Sequence, residues 1–172
     1  MTAANQAGER IVQETIAVRA DSEVQLREPL LRILKANSLI ELPVYESAGA
    51  SGMDIRAFLD TDVIISPAGR VKIPTGLKFE IPDGYEGQVR PRSGLAVKYG
   101  LTVLNSPGTI DSDYRGELEI ILVNLGQGDV TVKNGDRIAQ LVIAPVCRAR
   151  IEETQSLTET IRGSAGFGSS GI

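Results

Sequence analysis

Proline and glycine fall together repeatedly in the middle of this chain, at Pro67-Ala68-Gly69, Pro74-Thr75-Gly76, Pro82-Asp83-Gly84 and Pro107-Gly108. Proline presets φ for the second residue of a turn and glycine accepts positive φ, so each site predicts a β-turn. No long helix can run through such points, because proline lacks the N–H that a helix interior requires. Between the turns lie short runs rich in apolar and β-branched residues: Asp62 to Ile65, Leu77 to Ile81, Leu101 to Leu104, Glu117 to Asn124 and Ile138 to Pro145. Many short strands at close spacing predict an all-β sandwich or barrel.

Helical pattern is confined to two places. Glu9 to Val18 carries Ile11, Val12 and Ile16, a spacing that serves a short amphipathic helix and a frayed extension equally well. Ser93 to Lys98 suffices for one helical turn or a little more, with Ser93 placed to cap it and exposed N–H groups placed to receive an anion. Residues 1–28 are polar and lack the turn grammar, so they read as an N-terminal appendage. Residues 29–161 read as one domain, and 162–172 as a glycine-rich tail with the composition of a flexible segment. A chain of 172 residues is long enough to bury a core without disulfides.

Composition removes whole classes of chemistry. There is no histidine, so the usual general base, the Ser-His and Cys-His pairs and most transition-metal sites are absent. Acid–base work falls to Asp, Glu, Lys or Tyr. Cys147 is the one cysteine and reads as a small buried hydrophobe. A net charge of −4 argues against polynucleotide binding, which needs a basic footprint, while leaving room for a small anion held by a few arginines. The longest apolar runs are too short to span a bilayer, and no signal-peptide h-region is present, which makes the cytoplasm the expected location.

Four clusters carry groups that can recognise or react. Gly52-Met53-Asp54-Ile55-Arg56-Ala57 sets an acid in a strand-like run, which an alternating charged strand face explains as well. Arg90-Pro91-Arg92-Ser93-Gly94-Leu95-Ala96 brings arginine forks, a hydroxyl and free N–H groups to one turn, the makings of a phosphate cradle or of a plain surface turn. Asn105 to Glu117 is a hairpin-like segment dense in functional side chains, where a carboxylate beside phosphate could act as general base; an Asx-rich turn is the plain alternative. In the tail, Arg162 and Phe167 interrupt small residues. Phe167 has no local apolar partner, and a nucleobase would offer it a flat one.

Taken in order, these clusters resemble the five motifs of the trimeric dUTPases, over roughly Ile33 to Gly171. The segments are Ala48 to Ala57, then Pro91 to Ala96, then Gly108-Thr109-Ile110-Asp111-Ser112-Asp113-Tyr114-Arg115-Gly116-Glu117. Gly135-Asp136-Arg137-Ile138-Ala139-Gln140-Leu141 follows, and Arg162-Gly163-Ser164-Ala165-Gly166-Phe167-Gly168-Ser169 completes the set. The resemblance implies a jelly-roll-like β-barrel, assembled as a homotrimer with active sites shared between subunits. It implies hydrolysis of dUTP to dUMP and pyrophosphate, limiting uracil in DNA and supplying dUMP for thymidylate synthesis.

By the same resemblance Asp111 activates the water that attacks the α-phosphorus. Arg92, Ser93, Gly94, Gln140 and Arg162 hold the triphosphate, and Asp54 approaches a hydrated Mg²⁺ through water. Uracil is read by a β-hairpin involving Asn105 and the backbone around Gly108, Thr109, Ile110 and Glu119, while Tyr114 lies under the deoxyribose and excludes a 2′-hydroxyl. Phe167, Gly168 and Ser169 close over the bound nucleotide. Ala165 departs from the family, which has a second glycine there, a restriction on closure if that position needs positive φ. Two rival functions share the fold: dCTP deamination, and a nucleotide sensor without turnover. Asp111 and the complete tail motif favour phosphate hydrolysis over both.

Overall fold

The computed structural model describes residues 28–166. The expected appendage, apart from Glu28, and Phe167, Gly168 and Ser169 lie outside the described residues. Ten strands and one helix are present among those described: β1 (Arg32–Lys35), β2 (Met53–Arg56), β3 (Val63–Ile65), β4 (Arg70–Glu80), β5 (Tyr85–Arg90), α1 (Ser93–Tyr99), β6 (Leu101–Val103), β7 (Gly108–Ile110), β8 (Glu117–Asn124), β9 (Val130–Val132) and β10 (Arg137–Pro145). One four-stranded sheet runs β1-β4-β8-β6 and another β2-β10-β5-β7, with β3-β9 as a two-stranded ribbon. All pairings are antiparallel. The result is the all-β, jelly-roll-like barrel that the turn spacing and the resemblance predict.

Alternation places the core. Ile73, Leu77 and Phe79 from β4, Leu118, Ile120 and Leu122 from β8, Ile55 from β2 and Ile138 and Leu141 from β10 are buried in one cluster between the sheets. Charged residues such as Lys72, Lys78 and Glu80 occupy the exposed positions between them, the pattern of a sheet with one face dry and one wet.

Two turn sites behave differently from the expectation. Pro74-Thr75-Gly76 is not a turn: β4 runs straight through it, and the β4–β8 register slips between Pro74 and Lys78. Gly76 sits at φ 66, where the bulge needs the left-handed conformation. At Pro67-Ala68-Gly69 the turn is present, closed by Gly69 N–H on the Ser66 carbonyl at 2.8 Å, but the positive φ of 63 belongs to Ala68. Gly69 is required instead for space, since a Cβ there would stand 2.7 Å from the Ser66 oxygen.

The helix also differs in detail. Arg92, not Ser93, occupies the N-cap position, with no side-chain capping bond; Ser93 is the first helical residue. Gly100 ends the helix in the left-handed region at φ 68. Cys147 is exposed, contrary to the expected buried hydrophobe, because it follows the last strand. Beyond Pro145 the chain continues to Gly166 with no helix or strand, and Ile151, Leu157 and Ile161 are fully or almost fully exposed.

Candidate active site

The strand register builds the first half of the site. Gln140 of β10 stands opposite Asp54 on β2 and opposite Arg90 on β5, so the three side chains form one row across the sheet. Asp54 is the buried member, its side chain 8% exposed. Its Oδ1 accepts from Arg92 Nε at 2.9 Å, and its Oδ2 accepts from Arg92 Nη2 at 3.3 Å and from Arg137 Nη1 at 3.2 Å. A fork on a carboxylate fixes both planes, so Arg92 is held in one orientation. Arg92 Nη1 also donates to the Arg137 carbonyl at 3.2 Å. Glu46 Oε1 also stands 3.9 Å from Arg137 Nη1, so Arg92 and Arg137 share two carboxylates where α1 begins.

That helix start is open. Leu95 and Ala96 N–H both donate to the Arg92 carbonyl, while the N–H groups of Ser93 and Gly94 precede the first helical bond. A Cβ on Gly94 would meet nothing within 4 Å, so this chain itself leaves the space above Gly94 clear. Arg90, Arg92, Gln140 and the N–H groups of Ser93 and Gly94 gather donors that can hold an anion, with Asp54 fixing Arg92.

The second half lies on the segment from Asn105 to Glu119. The expected hairpin is absent as such: β7 pairs with β5 while β8 pairs with β4 and β6, so the segment crosses between the two sheets. The open edge of β5 captures β7 and leaves the 111–116 loop to make the crossing. Gly108 is buried, and a Cβ there would stand 2.9 Å from Asn105 Nδ2, so its bareness lets Asn105 close on the strand. Thr109 faces Gln88 and is exposed, whereas Ile110 faces Gly87 and packs against the core. In the loop, Tyr114 N–H donates to the Asp111 carbonyl at 3.1 Å, and Arg115 Nη1 donates to the carbonyls of Ser112 and Tyr114. The Tyr114 ring covers Gly116, where any Cβ would collide with it, and its hydroxyl donates to the Glu117 carbonyl at 3.1 Å. Asp111 is exposed. Glu119 is engaged by Lys72, Nζ to Oε2 at 2.7 Å, and this hydrogen-bonded carboxylate raises the Lys72 pKa above its ordinary 10.5.

Ser106 and Pro107 share a pocket with Arg90, Pro91 and Gln140, but Asp111 stands away from Arg92 on the same chain. Because β7 runs antiparallel to β5 with Ile110 opposite Gly87, Asp111 falls near the level of Glu86. Arg92 lies six residues farther along that line, roughly 15–20 Å away at the rise of a strand. Arg162 lies in a turn near the C-terminus, its Nε donating to the Ala165 carbonyl at 3.0 Å. Ala165 is not at positive φ; Gly163, at φ 52, takes that conformation.

Arg137 escaped the assignment of site residues. It stands in a motif that the sequence singles out, but nothing local ties it to Asp54, 83 positions away. Among the described residues no group of three or more Cys, Asp or Glu side chains could hold a metal. No described helix is long and apolar enough to cross a membrane.

The dUTPase family model matches residues 39–171. A deoxyuridine 5′-triphosphate nucleotidohydrolase from Rhizobium etli (strain CIAT 652) is 56% identical over 145 residues, covering 83% of this chain and 92% of that protein. The same-named protein of Brucella melitensis biotype 2 is 54% identical over 144 residues, covering 83% and 91%. Among solved structures, the Staphylococcus bacteriophage 80alpha dUTPase with dUPNHPP superposes with a TM-score of 0.76 at 26% identity, over 83% of this chain and 99% of that one. Sequence, fold and the arrangement of the motifs agree, and the chain belongs to the dUTPase family.

Proposed function

We propose that this chain is a dUTP diphosphatase whose active site is assembled from three copies, a homotrimer in which each site draws on different subunits. The observation that carries this reading is the separation of the cradle at Asp54, Arg92, Ser93, Gly94 and Gln140 from the loop that bears Asp111. On a single chain the two stand roughly 15–20 Å apart along the sheet, a spacing that a loop from a neighbouring copy would shorten. One further feature supports it: Ile151, Leu157 and Ile161 of the C-terminal arm are fully or almost fully exposed on their own chain.

In the assembled site Arg92, Gln140 and the N–H groups of Ser93 and Gly94 hold the triphosphate, with Arg162 and the 167–169 segment closing over it. Asn105 and the backbone at Gly108, Thr109, Ile110 and Glu119 read the uracil, and Tyr114 lies under the deoxyribose. The carboxylate of Asp111 accepts a proton from water as its oxygen bonds to the α-phosphorus. The bond from that phosphorus to the bridging oxygen breaks, releasing dUMP and pyrophosphate. Both oxygens of Asp54 are taken by guanidinium donors, and no acidic cluster is present among the described residues, a donor set that suits an ion carried by phosphate oxygens with Asp54 reached through water. When bound, Mg²⁺ supplies charge neutralisation along the phosphates.

Pyrophosphate release from dUTP, dCTP, dTTP and UTP, with ammonia release from dCTP measured alongside, separates hydrolase, deaminase and sensor. The expected result is turnover of dUTP alone, and a loss of at least ~10²-fold in Asp111→Asn with binding of dUTP kept. Ammonia from dCTP, or near-normal turnover in Asp111→Asn, would contradict the reading.

A further inference from the structure

The bulge in β4 and the loop carrying Tyr114 are joined through one residue. Glu117, first in β8, reaches back to β4, where its Oε1 accepts from the N–H of Thr75 at 3.2 Å and of Gly76 at 2.7 Å. These two N–H groups sit in the stretch where the β4–β8 register slips, so the ladder does not pair them there. Both residues are buried, and an unpaired N–H in such a place is costly. Thr75 Oγ1 donates to the Leu118 carbonyl at 2.6 Å and binds the bulge to the next residue of β8. On its other side, the Glu117 carbonyl accepts the Tyr114 hydroxyl. The side chain of Glu117 therefore grips the barrel while its backbone grips the ring.

Chemistry singles out a carboxylate at this position. Two converging N–H donors need one strong acceptor, and hydrogen bonds to a charged group are about twice as strong as neutral ones. Gly76 cannot move to compensate. Its positive φ and the close approach of the Ile40 side chain fix the bulge in place.

We infer that Glu117 is a positioning residue: by locking the β4 bulge to the base of the 111–116 loop it sets where Tyr114 stands and thus how strictly the site rejects a 2′-hydroxyl. The inference rests on the reading of Tyr114 as the ring beneath the deoxyribose. Loss of the clamp lets the ring shift without removing any hydrogen bond that joins Asp54 to Arg92 and Arg137.

Four variants test it: Glu117→Gln, Glu117→Ala, Tyr114→Phe and Tyr114→Ala. Each is measured for kcat/KM on dUTP and on UTP, for melting temperature and for amide exchange at Thr75, Gly76 and residues 111–116. Glu117→Ala is expected to lower the dUTP-to-UTP ratio roughly 5- to 10-fold, the worth of one ordinary hydrogen bond or slightly more, and to speed exchange at Thr75, Gly76 and the loop. Glu117→Gln, which keeps an acceptor, should retain most of the ratio, and Tyr114→Phe should lower it in the same direction as Glu117→Ala. A lower melting temperature in Glu117→Ala with an unchanged ratio would reduce Glu117 to a structural residue and overturn the inference. If Tyr114→Ala itself leaves the ratio unchanged, the reading of Tyr114 has failed. The clamp is then judged on exchange alone, where an unaltered 111–116 loop in Glu117→Ala overturns it. Should Glu117→Ala not fold, Glu117→Gln carries the test, with faster exchange at Thr75 and Gly76 supporting the clamp and unaltered exchange refuting it.

Discussion

At the scale of single residues, buried polar groups are placed by their partners rather than by their neighbours in sequence. Asp54 shows this best. A carboxylate 8% exposed is tolerable because two arginines reach it, and its loss would leave the half-buried Arg92 with only its bond to the Arg137 carbonyl. Asp54→Ala is therefore expected to lower stability by about 1.5–3 kcal/mol, the range for hydrogen bonds to charged groups, and to raise KM for dUTP as Arg92 loses its orientation. Urea unfolding and steady-state kinetics check the two effects together; an unchanged KM would separate Asp54 from phosphate binding. Lys72 offers a contrasting, exposed case. Its pKa is raised by the hydrogen bond and charge of Glu119, so the pair's contribution is present below the ordinary 10.5 and is lost as pH rises through the higher folded value. The small gap in melting temperature between the native chain and Lys72→Met should be constant at neutral pH and close above 10.5. A gap that persists in strong alkali would show that packing of the lysine stem, not its charge, stabilises this edge.

At the scale of elements, what was legible is what local chemistry decides. The strands expected at Asp62 to Ile65, Leu101 to Leu104, Glu117 to Asn124 and Ile138 to Pro145 all appear within a residue or so of those bounds, because turn residues punctuate them and alternation marks their dry face. β4 was half seen. Its first part, from Arg70, was hidden because Pro74 and Gly76 imitate a turn, and what keeps them in a strand is Glu117, more than 40 positions away. Sequence spacing likewise could not reveal that β7 and β8 join different sheets, since that depends on which strand edge is open. In the site, the residue types of the cradle were legible from their density around Arg92 and Ser93, but the Asp54–Arg137 pairing was not. The C-terminal arm raises the element-scale prediction. Deleting residues 162–172 removes almost no apolar surface, so melting temperature and oligomer should survive while most dUTP turnover is lost. Deleting from residue 146 also removes Ile151, Leu157 and Ile161, whose burial on a partner would contribute about 1.5–3 kcal/mol each, and should weaken the oligomer. Size-exclusion chromatography with light scattering and a pyrophosphate assay on both truncations decide it. Full activity without 162–172 would make the tail a passive appendage.

At the scale of the whole molecule, the proposed shared site rests on Arg92 and Asp111 standing apart on one chain. Arg92 and Asp111, the proposed water-activating residue, lie roughly 15–20 Å apart along one sheet, a spacing that follows from the β5–β7 register. Closed rings of identical chains resolve such a separation by offering each cradle the loop of a neighbour. The most direct measurement mixes two crippled chains, Arg92→Gln and Asp111→Asn, refolded or co-expressed in equal amounts, and follows pyrophosphate release from dUTP. A site that takes Arg92 from one copy and Asp111 from another is whole whenever the first is an Asp111→Asn chain and the second an Arg92→Gln chain. Random assembly then returns about a quarter of the native activity. Activity no higher than that of the two parents, in mixed oligomers of native size, would contradict the shared site.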